Sequence, residues 1–134
     1  MLLAEEVLDL ESRSALPAAG QLELAEMRAR EEGVDPELMQ RMAGGKTGVV
    51  GILKRSEGPV AALRVDMDAL EVTESAGPDH RPAQQGFASC HEGICHACGH
   101  DVHTAVGLGV ARILAEDQSW QGTVKLIFQP GEEG

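Results

Sequence analysis

Nine consecutive residues, Cys95 to His103, carry five thiol and imidazole side chains: Cys95, His96, Cys98, His100 and His103. These are the ligand types that hold zinc and its first-row neighbours, and ordinary acidic chains do not crowd them together by chance. A fold that keeps them must bring the run to one place beside further ligands. Two other segments offer carboxylates. Asp66-Met67-Asp68 lies upstream, and Gln129-Pro130-Gly131-Glu132-Glu133-Gly134 follows an apolar run downstream. Together the three segments point to a metal-assisted hydrolase.

The rest of the composition excludes several classes. The 134 residues suffice for one domain with one core, and an apolar content of 43% is that of a globular chain. The aromatic residues are only Phe87, Trp120 and Phe128, too few for base stacking. A formal charge of −11 repels a phosphate backbone, so no nucleic-acid partner is expected. No stretch reaches the ~20 apolar residues of a membrane span. Met1-Leu2-Leu3-Ala4 runs straight into Glu5-Glu6, without a basic n-region or an apolar h-region. Three clustered cysteines do not form a disulfide framework, and a cytoplasmic protein with reduced thiols is expected.

The chain divides into a helical N-terminal segment, 1–46, and a motif-bearing core, 47–134. Leu3, Val7, Leu8 and Leu10 recur at helical spacing; Pro17 and Gly20 punctuate a loop, and 21–32 is undecided between helix and mobile insertion. Asp35-Pro36-Glu37 predicts a helix start with Asp35 as N-cap, ended by Gly44-Gly45. Strands are predicted over Thr47–Lys54 and Pro59–Met67, joined by a turn through Ser56-Glu57-Gly58. Residues 71–97 read as a long functional loop. A largely buried helix is predicted from His100 to Glu116, then a strand over Gly122–Gln129. Strand, helix and strand in that order predict an α/β fold with a mostly parallel sheet.

Each segment then acquires a chemical reading. Cys98 and His100 sit where a loop enters a helix, and the helix dipole there favours a thiolate. Both can ligate one metal. Two alternatives stay open: a redox dithiol from Cys95 and Cys98, and a structural zinc knuckle from His91, Cys95, Cys98 and His100. Glu132 and Glu133 point to opposite sides of an extended segment, so one carboxylate can face the metal and the other a water. Asp68 can accept a hydrogen bond from a ligating imidazole and fix its tautomer.

RVDMDAL, GFAS, HACGHDVHTAVGLG and GTVKLIFQPGEEG resemble the aminoacylase/carboxypeptidase-type two-metal amidohydrolases. That family includes hippurate hydrolases, N-acetyldiaminopimelate deacetylases and indole-acetyl-amino-acid hydrolases. The likeness covers Thr47 to Gly134. Val65–Asp68, His80-Arg81-Pro82 and Gly86–Cys90 resemble most the p-aminobenzoyl-glutamate hydrolase A-subunit branch. The resemblance implies a zinc-exopeptidase-like mixed, mostly parallel sheet flanked by helices, holding two divalent metal ions, Zn²⁺ or Mn²⁺. It makes Cys98, His100 and Glu133 metal ligands, Glu132 the catalytic base and Asp68 the carboxylate that orients a ligand. Asp66 stands where other branches have a histidine ligand and is not expected to bind. His103 is expected near the metals but not on them.

The same resemblance implies amide-bond hydrolysis of an N-acyl or N-aroyl amino acid, p-aminobenzoyl-glutamate included, as a small-molecule substrate. Glu71 replaces a usual proline and Gly131 a usual alanine. Family members draw two further histidine ligands, and an inserted lid and dimerisation domain, from beyond the QPGEEG segment. Residues 1–134 are therefore expected to be an incomplete catalytic domain, inactive alone. The whole protein is expected to form a homodimer or to pair with a related subunit through that lid. The contrasting expectation is a non-catalytic metal-binding or interaction module.

Overall fold

The computed structural model describes residues 19–133, so the helical pattern expected over Leu2–Leu10 lies outside it. Along the chain run α1 (Ala19–Glu31), α2 (Pro36–Arg41), β1 (Val49–Lys54), β2 (Val60–Asp66), α3 (Arg81–Gln84), α4 (His100–Glu116) and β3 (Thr123–Gln129). The undecided 21–32 segment is helical, and Gly20 falls inside α1 rather than in a loop. Asp35 caps α2 as its sequence predicts, its Oδ1 accepting the N–H groups of Glu37 at 2.8 Å and Leu38 at 3.1 Å. Gly44 and Gly45 follow in the left-handed region at φ 78° and 80°, where glycine carries no steric cost.

The sheet departs from a simple reading of the two strands around Ser56–Gly58. Those strands are not neighbours: β3 inserts between them, giving the order β1-β3-β2. β2 runs parallel to β3, with Val60 opposite Thr123 and Asp66 opposite Gln129, whereas β1 runs antiparallel to β3. The result is the mixed sheet that the resemblance implies, with one parallel and one antiparallel pairing among the described strands. The α4 crossover dictates the parallel pair, and the short 55–59 connection leaves room for β3 because it is stitched to β3's start. Arg55 N–H donates to Gly122 O at 3.0 Å, and Thr123 N–H to Pro59 O at 2.9 Å.

Leu126, on the central strand, is 1% exposed and forms the core with Val50, Val65 and Ala111. α4 packs on this sheet through His100, Gly107 and Ala111, residues at helical spacing along one face. The expectation of a largely buried helix is too strong. Val102, Val106, Leu108 and Ile113 are exposed in the described structure, because only one face of α4 meets the sheet. The C-terminal end of α4 is held by Arg55, whose Nη2 donates to Leu114 O, Ala115 O and Asp117 O at 3.1, 2.8 and 2.7 Å.

This register decides where the chemistry falls. Asp66 and Gln129 end their strands level with one another, and Met67 N–H donates to Gln129 O at 2.9 Å. The segments that follow, Met67–Leu70 and Pro130–Glu133, thus leave the same edge of the sheet. The first turn of α4 meets them there, with Thr104 Oγ1 donating to Asp66 O at 3.3 Å. Ligand sites in open α/β sheets lie outside the carboxyl ends of the strands, and this is such an edge.

Candidate metal centre

Cys98 reaches the sheet edge by a closed loop. Leu70 and Cys95 exchange both backbone hydrogen bonds, 3.0 Å from Leu70 N–H to Cys95 O and 3.1 Å in return. That bridge pinches the long 71–97 segment at its base and returns the chain beside Asp68. Gly99, at φ 91°, then turns the backbone into α4. His100 follows as the first helical residue and is 3% exposed.

One potential ligand atom each from Cys98, His100 and Glu133 lies within 4.8 Å of the other two. Sulfur, imidazole nitrogen and carboxylate oxygen bind zinc at roughly 2.0–2.3 Å, so small rotamer movements close the three onto one ion. The donor set fits a borderline divalent cation. His100 has one nitrogen committed: Nδ1 lies 3.1 Å from both the carbonyl oxygen and Oδ1 of Asp68. Its other nitrogen, Nε2, faces Glu132, whose Oε2 is 3.9 Å away.

Asp68 does a second job at the same time. Its Oδ2 accepts the Glu133 N–H at 2.9 Å. Burial pushes the Asp68 carboxyl up, but the N–H groups of Glu133 and Glu132, its own N–H and the charge of His100 outweigh that and hold it below the usual 3.8. For His100, burial pushes the pKa down. The carbonyl, charge and side chain of Asp68, with the charge of Asp66, outweigh it and raise the imidazole above its ordinary value. The two shifts agree: each partner stabilises the charged form of the other.

The helix terminus expected to favour a thiolate at Cys98 is outweighed by the carboxylates around it. The Cys98 thiol is pushed up, first by donating a hydrogen bond to Glu133, then by desolvation and the negative charges of Glu133, Glu132 and Asp68. Three carboxylates outweigh one helix terminus, which is strongest only within a turn. A divalent cation among these groups would relieve the same repulsion. All three cysteines, Cys90, Cys95 and Cys98, are free thiols. His91 and Cys95 join no group of metal-ligating side chains among the described residues, so the zinc-knuckle alternative finds no support in the geometry.

Sequence reasoning missed one grouping. Asp66, His100 and His103 also bring one ligand atom each within 4.8 Å of the others. Its signal in the sequence is the three-residue spacing of His100 and His103, which puts both on one face of a helix. Away from the sheet edge, the 71–97 loop encloses an open cleft of about 340 Å³ lined by Glu74, Ser89, Cys90 and His91 among others; none of Asp68, Cys98, His100, Glu132 and Glu133 is part of that lining.

A mixed sheet with a thiol, an imidazole and paired carboxylates gathered at its carboxyl edge defines a metallohydrolase-type α/β domain. Residues 62–134 match Peptidase family M20/M25/M40, and the chain belongs to that family. It is 48% identical to the A-subunit of the p-aminobenzoyl-glutamate hydrolase of Escherichia coli over 98% of this chain and 31% of that protein. It is 46% identical to the indole-3-acetyl-aspartic acid hydrolase of Enterobacter agglomerans, with the same coverage. The chain thus spans less than a third of the length of these relatives. Among solved structures, it resembles an aminobenzoyl-glutamate utilization protein from Klebsiella pneumoniae, with a TM-score of 0.65 and 35% identity over 99% of this chain and 28% of that one. A dinuclear metal binding peptidase of the M20 family from Bacillus subtilis gives a TM-score of 0.56 and 38% identity over 85% and 30%. No described helix is long and apolar enough to cross a membrane.

Proposed function

We propose that this chain supplies part of the catalytic site of a metal-dependent amidohydrolase that cleaves the amide bond of an N-acyl or N-aroyl amino acid, p-aminobenzoyl-glutamate being the substrate we favour. The observation that carries the reading is the convergence of Cys98, His100 and Glu133 within 4.8 Å, with the Glu132 carboxylate beside them. In this reading Cys98, His100 and Glu133 are the ligands this chain contributes to a two-ion centre of Zn²⁺ or Mn²⁺. A divalent ion held there polarises an amide carbonyl and lowers the pKa of a water molecule.

The chain's own residues do the rest. Glu132 takes the proton from the attacking water and delivers it to the amide nitrogen as the C–N bond breaks, so that the amine leaves neutral. Its carboxylate is partly exposed, at 39%, which lets substrate and water reach it. Asp68 holds His100 by Nδ1, leaving Nε2 as the metal-facing nitrogen. Substrate choice is supported by the names of the relatives, which act on p-aminobenzoyl-glutamate and indole-3-acetyl-aspartate. Pairing with a second copy or with a related protein is part of the same reading and rests on the resemblance.

Because the chain spans 31% of its relatives, the 134 residues by themselves are expected to bind metal without turnover. In the protein extended to its relatives' length, Glu132→Ala is expected to abolish p-aminobenzoyl-glutamate hydrolysis while metal content stays near that of the unchanged protein. Loss of metal together with activity would remove Glu132 from the role of base. Strong hydrolysis by residues 1–134 alone would show that no further ligands are needed.

A further inference from the structure

We propose that His103 is a positioning residue for His100, held by Asp66 and laid against the imidazole so that the ring plane keeps Nε2 aimed at the metal. This deepens the hydrolase reading and rests on it for His100 as a ligand. Asp68 alone does not fix that plane. The imidazole torsion of a histidine is broad, without the sharp staggered wells of an aliphatic side chain. His100 Nδ1 lies 3.1 Å from two acceptors at once, the carbonyl oxygen and Oδ1 of Asp68. The ring can rock between them without losing its partner, unless something meets its face.

His103 stands there. It lies one helical turn after His100 on α4. The two rings are stacked, with centroids 5.3 Å apart and planes at 27°. Offset rings attract each other at centroid separations of about 4.5–7 Å, and a ring on that face opposes its tilt. The His103 side chain is 53% exposed, so packing alone does not hold it. Asp66 supplies the anchor: its Oδ2 lies 3.8 Å from His103 Nδ1, too long for a hydrogen bond but within reach of charge attraction. Asp66 is 8% exposed, so little water screens that attraction.

Asp66 is in turn fixed from two sides. Arg64 Nε is ion-paired with its Oδ1 at 3.2 Å. Thr104 Oγ1 lies 3.3 Å from the Asp66 carbonyl oxygen and 3.0 Å from that of His100, which ties the end of β2 to the first turn of α4. Support thus runs from Arg64 through Asp66 and His103 to His100. Asp68 holds one edge of the imidazole, and His103 holds a face.

Zinc titration of the 134-residue chain against a competing chelator tests this. His103→Ala is expected to weaken zinc about tenfold, the lower end of the usual effect of a partner behind a metal ligand. Stability in denaturant should stay the same or rise, because alanine is the better helix former at an exposed position. A purely structural role would lower stability instead. His103→Phe keeps a flat ring against His100 without a nitrogen, and should bring affinity back to within about twofold of the unchanged chain. Asp66→Asn should cost less than His103→Ala and add almost nothing once His103 is alanine, because Asp66 acts through His103. Unchanged affinity in His103→Ala, His103→Phe as weak as His103→Ala, or an undiminished Asp66→Asn effect in the His103→Ala background each overturns the proposal. In the metal-free chain, the Nδ1 proton of His100 should exchange with water faster in His103→Ala and at its ordinary rate in His103→Phe; equal rates in all three overturn it as well. Zinc affinity that falls on Cys98→Ser but not on His103→Ala removes this proposal and leaves the hydrolase reading standing. Affinity indifferent to Cys98→Ser removes both.

Discussion

Asp68 joins His100 to Glu133: one carboxylate oxygen lies 3.1 Å from His100 Nδ1, and the other accepts the Glu133 N–H at 2.9 Å. The three groups come from different parts of the chain, the segment after β2, the first turn of α4 and the segment after β3. Asp68 is therefore the point at which two candidate ligands acquire a fixed relative position. Removing an outer carboxylate behind a ligating imidazole typically costs about 10–100-fold in metal affinity. Because Asp68 also anchors the Glu133 backbone, Asp68→Ala is expected at the upper end of that range. Asp68→Asn keeps one acceptor oxygen but presents an amide N–H₂ to the second donor, so it should fall between alanine and the unchanged protein. Zinc titration against a competing chelator measures both.

Much of that arrangement is legible from residue types and spacing. The Cys98-x-His100 step, the Glu pair after an apolar strand and the Asp68 carboxylate all announce their chemistry by identity, and Asp35-Pro36 announces a helix start by the geometry of its side chain. What escapes a local reading is whatever depends on neighbours distant in sequence. The insertion of β3 between β1 and β2 follows from long-range pairing, which no local pattern encodes. The raised pKa of Cys98 depends on Glu133, Glu132 and Asp68 all arriving from elsewhere, and a helix-terminus argument confined to residues 98–103 cannot see them. Asp66 stands at a strand end with no histidine beside it in sequence, and its grouping with His103 needs the register that brings β2 level with α4.

The 71–97 loop carries its own latch, and it is sensitive to acid. Glu74 accepts the Ser89 N–H, and its Oε1 lies 2.8 Å from His80 Nε2. The Ser89 N–H, then the His80 hydrogen bond, outweigh desolvation and hold the Glu74 carboxyl below its usual 4.5. A carboxyl whose folded pKa is depressed stabilises the loop fully above the unfolded value, and that contribution is lost as pH falls through the folded one. Limited proteolysis of the loop should therefore accelerate as the solution is taken below about 4.5, the usual value for this carboxyl. Glu74→Gln is expected to be cut faster than the unchanged chain at neutral pH, with little further acceleration on acidification. A Glu74→Gln chain that kept the full acid response would assign it to another group.

Arg55 secures α4 from the opposite end to the metal centre. One guanidinium nitrogen reaches three carbonyls at the end of the helix, and its carbon sits 5.4 Å from the centroid of Trp120, whose Nε1 donates to Leu114 O at 3.0 Å. Hydrogen bonds to a charged donor are worth about 1.5–3 kcal/mol when removed, and exposure of this site places the expected loss toward the lower figure. Arg55→Ala should lower stability by about 1–2 kcal/mol in denaturant unfolding and speed amide exchange in the last turn of α4. Arg55→Lys keeps the charge but not the planar guanidinium that lies over Trp120, so it should recover less than half of the loss.

Gly107 sets how closely α4 approaches the sheet, and through that where His100 stands. A β-carbon added there would lie 2.9 Å from Val65 Cγ2 and 3.1 Å from Phe128 Cε1. Val65 is 7% exposed and β-branched, with little rotamer freedom to give way. Alanine would gain about 1 kcal/mol of helix propensity over glycine, but overpacking a tight contact costs about 1–3 kcal/mol, so Gly107→Ala should be neutral to mildly destabilising. Gly107→Val adds two more carbons and forfeits part of the propensity gain, and a loss of about 2–3 kcal/mol is expected. The helix can relieve that clash only by lifting off β2 and β3, which carries His100 away from Asp68 and Glu133. Denaturant unfolding and zinc affinity should therefore fall together in Gly107→Val. Unchanged zinc affinity alongside the stability loss would mean that the first turn of α4 is positioned by Asp68 and Thr104 alone, independently of how the rest of the helix packs.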